Sequence, residues 1–234
     1  MAKLLQRKAK AFISSLPRRG WFLQRCFFWS TFYNVRLFFP LEYLLLRELI
    51  NCKSVLDLGC GRHSMVPILP KEIYTVGVEL FEPYLKEAVS KGRHTKYIKA
   101  DVTQVEFKEK SFDAVVILDV LEHLTETQGD ALIEKMERWA KKKVIIFTPN
   151  GYFGQEVYDG NPYQEHKCGW VKERFDKMGY RVWGVRGFKG LRKKRALDRI
   201  VDITQALTYF LPNYAFQLFC VKNLNSTGES DGRR

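Results

Sequence analysis

The sequence predicts an α/β domain in which helices cover an open and mostly parallel β-sheet. Short apolar, β-prone segments alternate along the chain with amphipathic helical segments, as expected for this class. The first strand breaks at Gly59-Cys60-Gly61, which is typical of a tight turn after a strand. In addition, four successive strands carry an acidic residue at their carboxyl ends, along one edge of the sheet. These acids are Asp57, Glu79, Asp101 and Asp119.

Seven strands and six helices follow from the pattern in order. The predicted strands cover residues 55–58, 73–78, 96–100, 112–118, 144–147, 180–185 and 214–221. The predicted helices cover residues 41–50, 62–69, 82–91, 125–142, 169–178 and 197–211. Pro67 and Pro70 shorten or distort the helix at 62–69. A basic cluster at 189–195 precedes the last helix, which is amphipathic.

The glycine turn and the acids predict a nucleoside-like ligand. Two glycines one residue apart let a ligand lie directly against the main chain. Glu79 follows the turn by roughly 20 residues, where nucleoside-binding α/β units place the carboxylate that holds ribose hydroxyls. A single ligand lying across the carboxyl ends of the strands accounts for all four acids.

Composition limits the compartment and the partners. The 234 residues are 46% hydrophobic, enough for one well-filled core. Five widely spaced cysteines without a Cys-x-x-Cys pair indicate neither a disulfide framework nor a zinc site, and favour the reducing cytoplasm. Charged residues interrupt every long apolar run, so no spanning helix is expected. The net charge of +13 implies anionic partners, namely phospholipid surfaces, nucleic acid or acidic substrates.

Residues 1–50 combine basic residues with many aromatic ones, and Pro17, Gly20 and Pro40 divide them into short helices. One interpretation is a helical cap packed over the cleft, because aromatic side chains at helical spacing are usually core. The alternative is peripheral contact with a membrane surface, since basic residues beside Trp and Phe suit the lipid headgroup boundary.

The chain resembles the class I S-adenosylmethionine-dependent methyltransferases over about residues 50–223. The resemblance lies in Val-Leu-Asp-Leu-Gly-Cys-Gly at 55–61, Gly-Val-Glu at 77–79 and Phe-Asp-Ala-Val-Val at 112–116. It implies a Rossmann-like, doubly wound, seven-stranded sheet whose last strand is antiparallel. The implied organisation is a helical N-terminal cap at 1–50, the methyltransferase domain at 51–223 and a disordered tail at 224–234.

The resemblance also implies which residues bind S-adenosylmethionine and its product S-adenosylhomocysteine. Asp57 and the backbone around Cys60 meet the methionine part, Glu79 accepts the ribose hydroxyls, and Asp101 with Val102 reads the adenine edge. Leu80 or Phe81 packs on the adenine face. The implied cofactor-binding set is Asp57, Gly59, Cys60, Gly61, Glu79, Leu80, Asp101, Val102 and Asp119.

The segment Asp119-Val120-Leu121-Glu122-His123 supplies the catalytic candidates. Asp119 and His123 lie on one side of an opening helical turn, facing the transferred methyl group, and His123 is a possible general base. A second resemblance, to small-RNA 2′-O-methyltransferases and ubiquinone-pathway O-methyltransferases, implies a divalent metal instead. Its ligands would be Asp119, Glu122, His123 and His166, the last following Thr148-Pro149-Asn150.

Three questions stay open at this stage. The acceptor is a small molecule or a lipid-linked compound, with RNA possible through charge alone. A nicotinamide-dependent oxidoreductase is an alternative, although Ser64 occupies the third glycine position of its fingerprint. A non-catalytic module that binds the cofactor without turnover is the other alternative. The expected location is the cytoplasm, with peripheral attachment to a membrane as a variant.

Overall fold

The computed structural model describes residues 41–66, 69–157, 159–191 and 198–224, which form a seven-stranded sheet with helices on both faces. The predicted cap and tail therefore lie mainly outside the described residues. The strands are β1 (Ser54–Leu58), β2 (Tyr74–Glu79), β3 (Lys96–Lys99), β4 (Phe112–Leu118), β5 (Ala140–Pro149), β6 (Arg181–Phe188) and β7 (Ala215–Asn223). The helices are α1 (Leu41–Leu49), α2 (Glu82–Ser90), α3 (Glu126–Trp139), α4 (Lys172–Lys177) and α5 (Asp198–Phe210).

The strand order is β3-β2-β1-β4-β5-β7-β6. Strands β1 to β5 pair in parallel, and β7 pairs antiparallel with both β5 and β6. The expected mostly parallel sheet with an antiparallel last strand is therefore confirmed. Because β7 runs the opposite way, its first residues lie at the edge where β1 to β5 end, so Gln217 lies level with Pro149.

Alternate residues of the central strands enter two separate cores. Val115 and Ile117 of β4 pack with α3 and α4, whereas Ala114 and Val116 pack with α1 on the opposite face. Side chains of a strand alternate between faces, so a central strand covered on both sides is apolar throughout. This explains the continuous apolar pattern of β4 and β5.

Two predicted helices differ from the structure. The described residues around the glycine turn form turns and a bend up to Val66, so the α-helix predicted at 62–69 is not formed there, in keeping with the prolines at 67 and 70. The helix predicted at 125–142 ends at Trp139, because Ala140 pairs with Phe112 and begins β5. Sheet pairing overrides the helical propensity of the lysines that follow.

Smaller differences concern the lengths of elements. The helix predicted at 169–178 shortens to α4, Lys172–Lys177, and β6 extends to Phe188. Among the residues that the structure describes, no helix is long and apolar enough to cross a bilayer. The four described cysteines, Cys52, Cys60, Cys168 and Cys220, are buried free thiols.

Candidate active site

A cavity of about 460 Å³ lies at the carboxyl edge of β1, β2 and β4, next to the glycine turn. Cavities at this edge are the usual ligand sites of open α/β sheets. All nine residues of the predicted cofactor set contribute to its lining, and so does His123. The structure thus brings together residues that are up to 66 positions apart in sequence, from Asp57 to His123.

The turn after β1 depends on a glycine at position 59. Gly59 has φ of +69°, a left-handed conformation that residues with a Cβ adopt at a cost. A Cβ built there would stand 2.4 Å from Cγ2 of Val120, so this position also has no room for a side chain. The backbone N–H of Cys60 donates to the carbonyl of Val78, which fixes the turn against β2.

The carboxylate of Glu79 is held in place by the turn. It accepts hydrogen bonds from the backbone N–H of Gly61 at 2.9 Å and from that of Phe81 at 2.7 Å. Burial raises the pKa of Glu79, and these backbone donors oppose that rise. A carboxylate has about four acceptor positions, so both oxygens keep capacity for donors in the cavity.

Asp57 is buried beneath the turn and has two partners that the sequence analysis missed. Its Oδ2 accepts from Oγ of Ser64 at 2.6 Å and lies 2.9 Å from Nε2 of His94. Ser64 is the residue at the third glycine position of the nicotinamide-binding fingerprint, so its hydroxyl is a partner here that a glycine could not provide. His94 lies just before β3 and reaches Asp57 by passing close to Gly77 of β2. A Cβ built at Gly77 would stand 3.2 Å from Cγ of His94, so the glycine leaves room for the imidazole.

Asp101 lies at the rim of the cavity, directly after β3. Its Oδ1 accepts from the backbone N–H and the hydroxyl of Thr103, both at 2.8 Å. These two local hydrogen bonds hold one carboxylate oxygen, Oδ1, in place. Val102 beside it is buried and lines the same cavity.

Asp119 has an unusual backbone and an unexpected partner. Its φ is +54°, a conformation that aspartate tolerates better than most residues and that is frequent at functional sites. Its Oδ1 accepts from Nε2 of Gln217 at 2.6 Å. Burial raises the pKa of Asp119 to about 6, against the positive charge of Arg186 and the Gln217 hydrogen bond. Gln217 was missed because nothing in the sequence indicates that β7 begins at the edge where β4 ends, with only β5 between the two strands.

Glu122, His123 and His166 form a cluster whose possible ligand atoms all lie within 4.8 Å of one another. Asp119, the fourth residue of the predicted metal set, is not in this group. Nδ1 of His123 lies 3.1 Å from the carbonyl of Glu165, and the two imidazole rings are 4.8 Å apart.

Both imidazoles of this cluster are anchored in the same way. Nδ1 of His166 lies 2.5 Å from the backbone carbonyl of Phe153, and Nδ1 of His123 likewise faces a backbone carbonyl, that of Glu165. A carbonyl oxygen only accepts, so each Nδ1 carries the proton and Nε2 of the neutral ring holds a lone pair. Burial lowers the pKa of His123 to about 4, which keeps that ring neutral.

Glu122 is buried beneath the two histidines. Its Oε2 accepts from the hydroxyl of Thr148 at 3.0 Å, and its backbone carbonyl accepts from the N–H of Lys167. Burial, followed by the nearby charge of Asp119, raises the pKa of Glu122 well above its ordinary value.

The loop between β5 and α4 supplies lining residues that sequence reasoning did not find. They are Asn161, Tyr163, Gln164 and Lys167. Asn161 is buried and its side chain accepts from the backbone N–H of Tyr163, beginning a short 3₁₀ helix at Pro162–Gln164. The Asn-Pro pair was the available signal, because it favours a defined turn.

The fold and the cavity together define the class I methyltransferase architecture. Comparison with known proteins agrees, since residues 56–148 match the family described as "Methyltransferase domain". The chain therefore carries an S-adenosylmethionine-dependent methyltransferase domain, with S-adenosylmethionine as the cofactor of that class. This match sets aside the nicotinamide-dependent oxidoreductase.

Two curated relatives are similar to parts of the chain. A tRNA (carboxymethyluridine(34)-5-O)-methyltransferase from Arabidopsis thaliana is 28% identical over 103 residues, which are 44% of this chain and 25% of the relative. The uncharacterized protein MJ0638 from Methanocaldococcus jannaschii is 28% identical over 122 residues, 50% of this chain and 51% of that protein. The chain thus spans a quarter and about half of the length of these relatives.

Solved structures share the fold. A SAM dependent methyltransferase from Archaeoglobus fulgidus has a TM-score of 0.55 at 19% identity, over 78% of this chain and 92% of that one. The PH0226 protein from Pyrococcus horikoshii OT3 has a TM-score of 0.52 at 16% identity, over 78% and 88%. Magnesium protoporphyrin IX methyltransferase from Synechocystis PCC 6803, with bound SAH, has a TM-score of 0.50 at 16% identity, over 78% and 80%.

Proposed function

We propose that the protein transfers the methyl group of S-adenosylmethionine to an oxygen of an acceptor bound beside His123. The acceptor O–H loses its proton, the new O–CH₃ bond forms as the S–CH₃ bond breaks, and S-adenosylhomocysteine leaves. The sulfonium is already electrophilic, so the protein mainly aligns donor and acceptor and receives a proton. The acceptor proposed is a small molecule or a lipid-linked compound.

The single observation that carries the proposal is the cavity beside the glycine turn, which gathers all nine candidate cofactor residues. Glu79, held by two backbone N–H groups, would accept the ribose hydroxyls. Asp57, held by Ser64 and His94, would face the methionine part together with the turn backbone. Asp101 and Val102 would meet the adenine, and Leu80 would pack against it. Each role uses acceptor capacity that the hydrogen bonds within the protein leave available.

His123 is the candidate proton acceptor at the other end of the cavity. Its Nδ1 faces the carbonyl of Glu165, which leaves Nε2 as the acceptor. The half-buried Asp119 beside the turn would border the sulfonium, where a carboxylate favours the positive charge of the donor. Support for oxygen as the target comes from the Arabidopsis relative, whose name specifies an O-methyltransferase.

Metal-assisted methyl transfer is a second candidate, which the grouping of Glu122, His123 and His166 favours. The residues fit a divalent ion, because both imidazoles bond a carbonyl through Nδ1 and keep Nε2 for a ligand, as metal-binding histidines do. Nitrogen with carboxylate ligands suits manganese, iron or zinc. Such an ion would supply Lewis acidity that lowers the pKa of an acceptor hydroxyl. An RNA ribose hydroxyl is the acceptor class for this alternative.

Transfer of a labelled methyl group tests the main proposal. Purified protein and labelled S-adenosylmethionine are incubated with a cell extract, and mass spectrometry identifies the labelled fraction. Incorporation that is lost in Gly59→Arg is expected. Cofactor binding without incorporation, in extracts that contain lipids and RNA, would favour the non-catalytic module instead.

Metal content separates the two catalytic candidates. The wild type and His166→Ala are treated with a chelator, reloaded with manganese or zinc and washed, and bound metal is measured directly. Metal-assisted transfer predicts about one bound ion per chain in the wild type and a metal affinity that is about tenfold lower, or more, in the variant. Unchanged activity after removal of metal would refute the metal-assisted candidate.

A further inference from the structure

Two polar side chains in the second half of helix α5 are turned toward the sheet. Gln205 and Thr208 are 2% and 0% exposed. The side chain of Gln205 accepts from the backbone N–H of Gly187 at 3.1 Å and donates to the carbonyl of Gly184 at 3.2 Å. The inner face of α5 thus satisfies the backbone of β6 where that strand departs from regular pairing with β7.

The outer side of the same helix end is apolar. Leu207, Phe210, Leu211 and Tyr214 are 60%, 58%, 47% and 56% exposed. Positions 207, 210 and 211 share one side of a helix, and the N–H of Tyr214 continues the chain by donating to the carbonyl of Leu211. Phe210 also packs edge-on against Tyr209. We call Leu207, Phe210, Leu211 and Tyr214 the α5 patch. Contiguous exposed apolar surface of this kind marks an interaction site more often than single exposed residues do.

The stretch of sequence that adjoins the α5 patch is rich in basic residues. The backbone N–H of Lys189 donates to the carbonyl of Tyr214 at 3.0 Å, so the basic stretch of the sequence begins directly beside the patch. Residues 189–199 include six lysines and arginines and one acid, and residues 1–40 include eight and no acid. Two such segments repel each other, which disfavours residues 1–40 or a second copy of the chain as the occupant.

The α5 patch also lies near the cavity edge. Nδ2 of Asn150, at the end of β5, donates to the carbonyls of Pro212 and Ala215 at 3.0 and 2.9 Å. The end of α5 is therefore tied to the edge of the sheet at which the cavity opens. A surface that covered the patch would therefore lie toward the same edge of the sheet as the cavity.

We propose that the α5 patch is a docking surface for an anionic phospholipid membrane. Its apolar side chains enter the boundary between headgroups and acyl chains, and basic residues of the adjoining sequence, beginning at Lys189, contact the lipid phosphates. Attachment by this face places the carboxyl edge of the sheet near the bilayer, where a lipid-linked acceptor would be presented. Membrane binding by the α5 patch does not depend on whether the site transfers methyl groups.

Vesicle flotation with the full chain tests this proposal. The probe is phosphatidylcholine vesicles with and without about one quarter phosphatidylglycerol. The wild type should bind the anionic vesicles, less strongly in high salt, and Leu207→Ser/Leu211→Ser should lower the partition coefficient by at least about tenfold. Val89→Ser, on the exposed surface of α2, is the matched control and should bind as the wild type does.

Fold and association are measured on the same samples. Thermal stabilisation by S-adenosylhomocysteine, compared between the wild type and the double variant, shows whether the variant is folded and whether the cofactor site itself is intact. Vesicle binding that is unchanged in the folded double variant would overturn the proposal. So would a wild-type dimer in sedimentation velocity that the substitutions dissociate without affecting vesicle binding, because the occupant would then be a second copy.

Discussion

Replacing Gly59 with alanine separates backbone strain from steric overlap in the turn. Gly59 and Gly61 both have positive φ, +69° and +53°, so alanine is strained at either position. Only at Gly59 does an added Cβ meet a neighbour, Cγ2 of Val120 at 2.4 Å, whereas Gly61 has nothing within 4 Å. Gly61→Ala is therefore a matched control that carries the strain without the overlap.

The expected magnitudes follow from these two contributions. A left-handed alanine costs about 1–2 kcal/mol at either glycine. Forcing an extra carbon into a packed contact adds about 1–3 kcal/mol, at Gly59 only. The free energy of unfolding should fall by about 2–5 kcal/mol in Gly59→Ala and by about 1–2 kcal/mol in Gly61→Ala.

Urea unfolding of the single and double variants measures both contributions. Val120→Ala removes the overlapping methyl carbon, so the Gly59→Ala/Val120→Ala protein should be more stable than the sum of its single changes predicts, by about 1–3 kcal/mol. Equal destabilisation by Gly59→Ala and Gly61→Ala, together with additive costs in the double variant, would refute the proposed overlap.

Three further predictions concern the cofactor and the acid limb of stability. Glu79→Gln should weaken S-adenosylhomocysteine binding about 10- to 100-fold in calorimetry, because a hydrogen bond to a charged group contributes about 1.5–3 kcal/mol; an unchanged affinity would contradict the ribose role. His94→Phe should weaken the same binding through Asp57 while leaving the cavity lining intact, and equal binding would show that His94 does not position that carboxylate. Neighbouring cations lower the pKa of Glu48 below its ordinary 4.5, although its burial opposes this. The unfolded state then binds more protons in this range, so the stabilisation is complete above about pH 4.5 and is lost as the pH falls through the folded pKa. Urea titrations from pH 6 to pH 3, flatter in Glu48→Gln, check this sign, and an equal slope in both proteins would contradict it.

The sheet could be predicted from the sequence because its strands have strong local signals. The apolar run of β4 was located at Phe112–Leu118, and Gly59 and Glu79 fixed the orientation of β1 and β2. The helix predicted at 125–142 overran into β5 because Lys141 and Lys142 favour helices locally, while the pairs on either side of them, Ala140 with Phe112 and Lys143 with Ala114, join segments that are distant in sequence. Long-range pairing therefore set the boundary that local propensity missed.

The site was predictable where one segment supplies several groups, and not where the fold joins distant segments. Glu122 and His123 are neighbours in sequence, and His166 entered only through a resemblance. His94 and Gln217 were missed because a single polar residue at a strand end has no local mark of its partner. Their roles, beside Asp57 and Asp119, follow from the strand order of the sheet.

The direction of α5 could not be inferred from its amphipathic pattern. Apolar spacing identifies two faces but does not state which one packs inward. Here Gln205 and Thr208 are buried because the irregular end of β6 offers backbone groups that require hydrogen bonds. Leu207, Phe210 and Leu211 are left outward, toward the proposed membrane contact, while Tyr209 of the same helix packs in the core.

The central claim is that the acid-lined cavity beside the glycine turn binds S-adenosylmethionine. Isothermal titration calorimetry of the wild type with S-adenosylhomocysteine, and in parallel with NAD, tests it most directly. We expect saturable binding of about one S-adenosylhomocysteine per chain, weakened in Glu79→Gln, and no saturable binding of NAD. No heat of binding with S-adenosylhomocysteine, or equally tight binding of NAD at the same site, would contradict it.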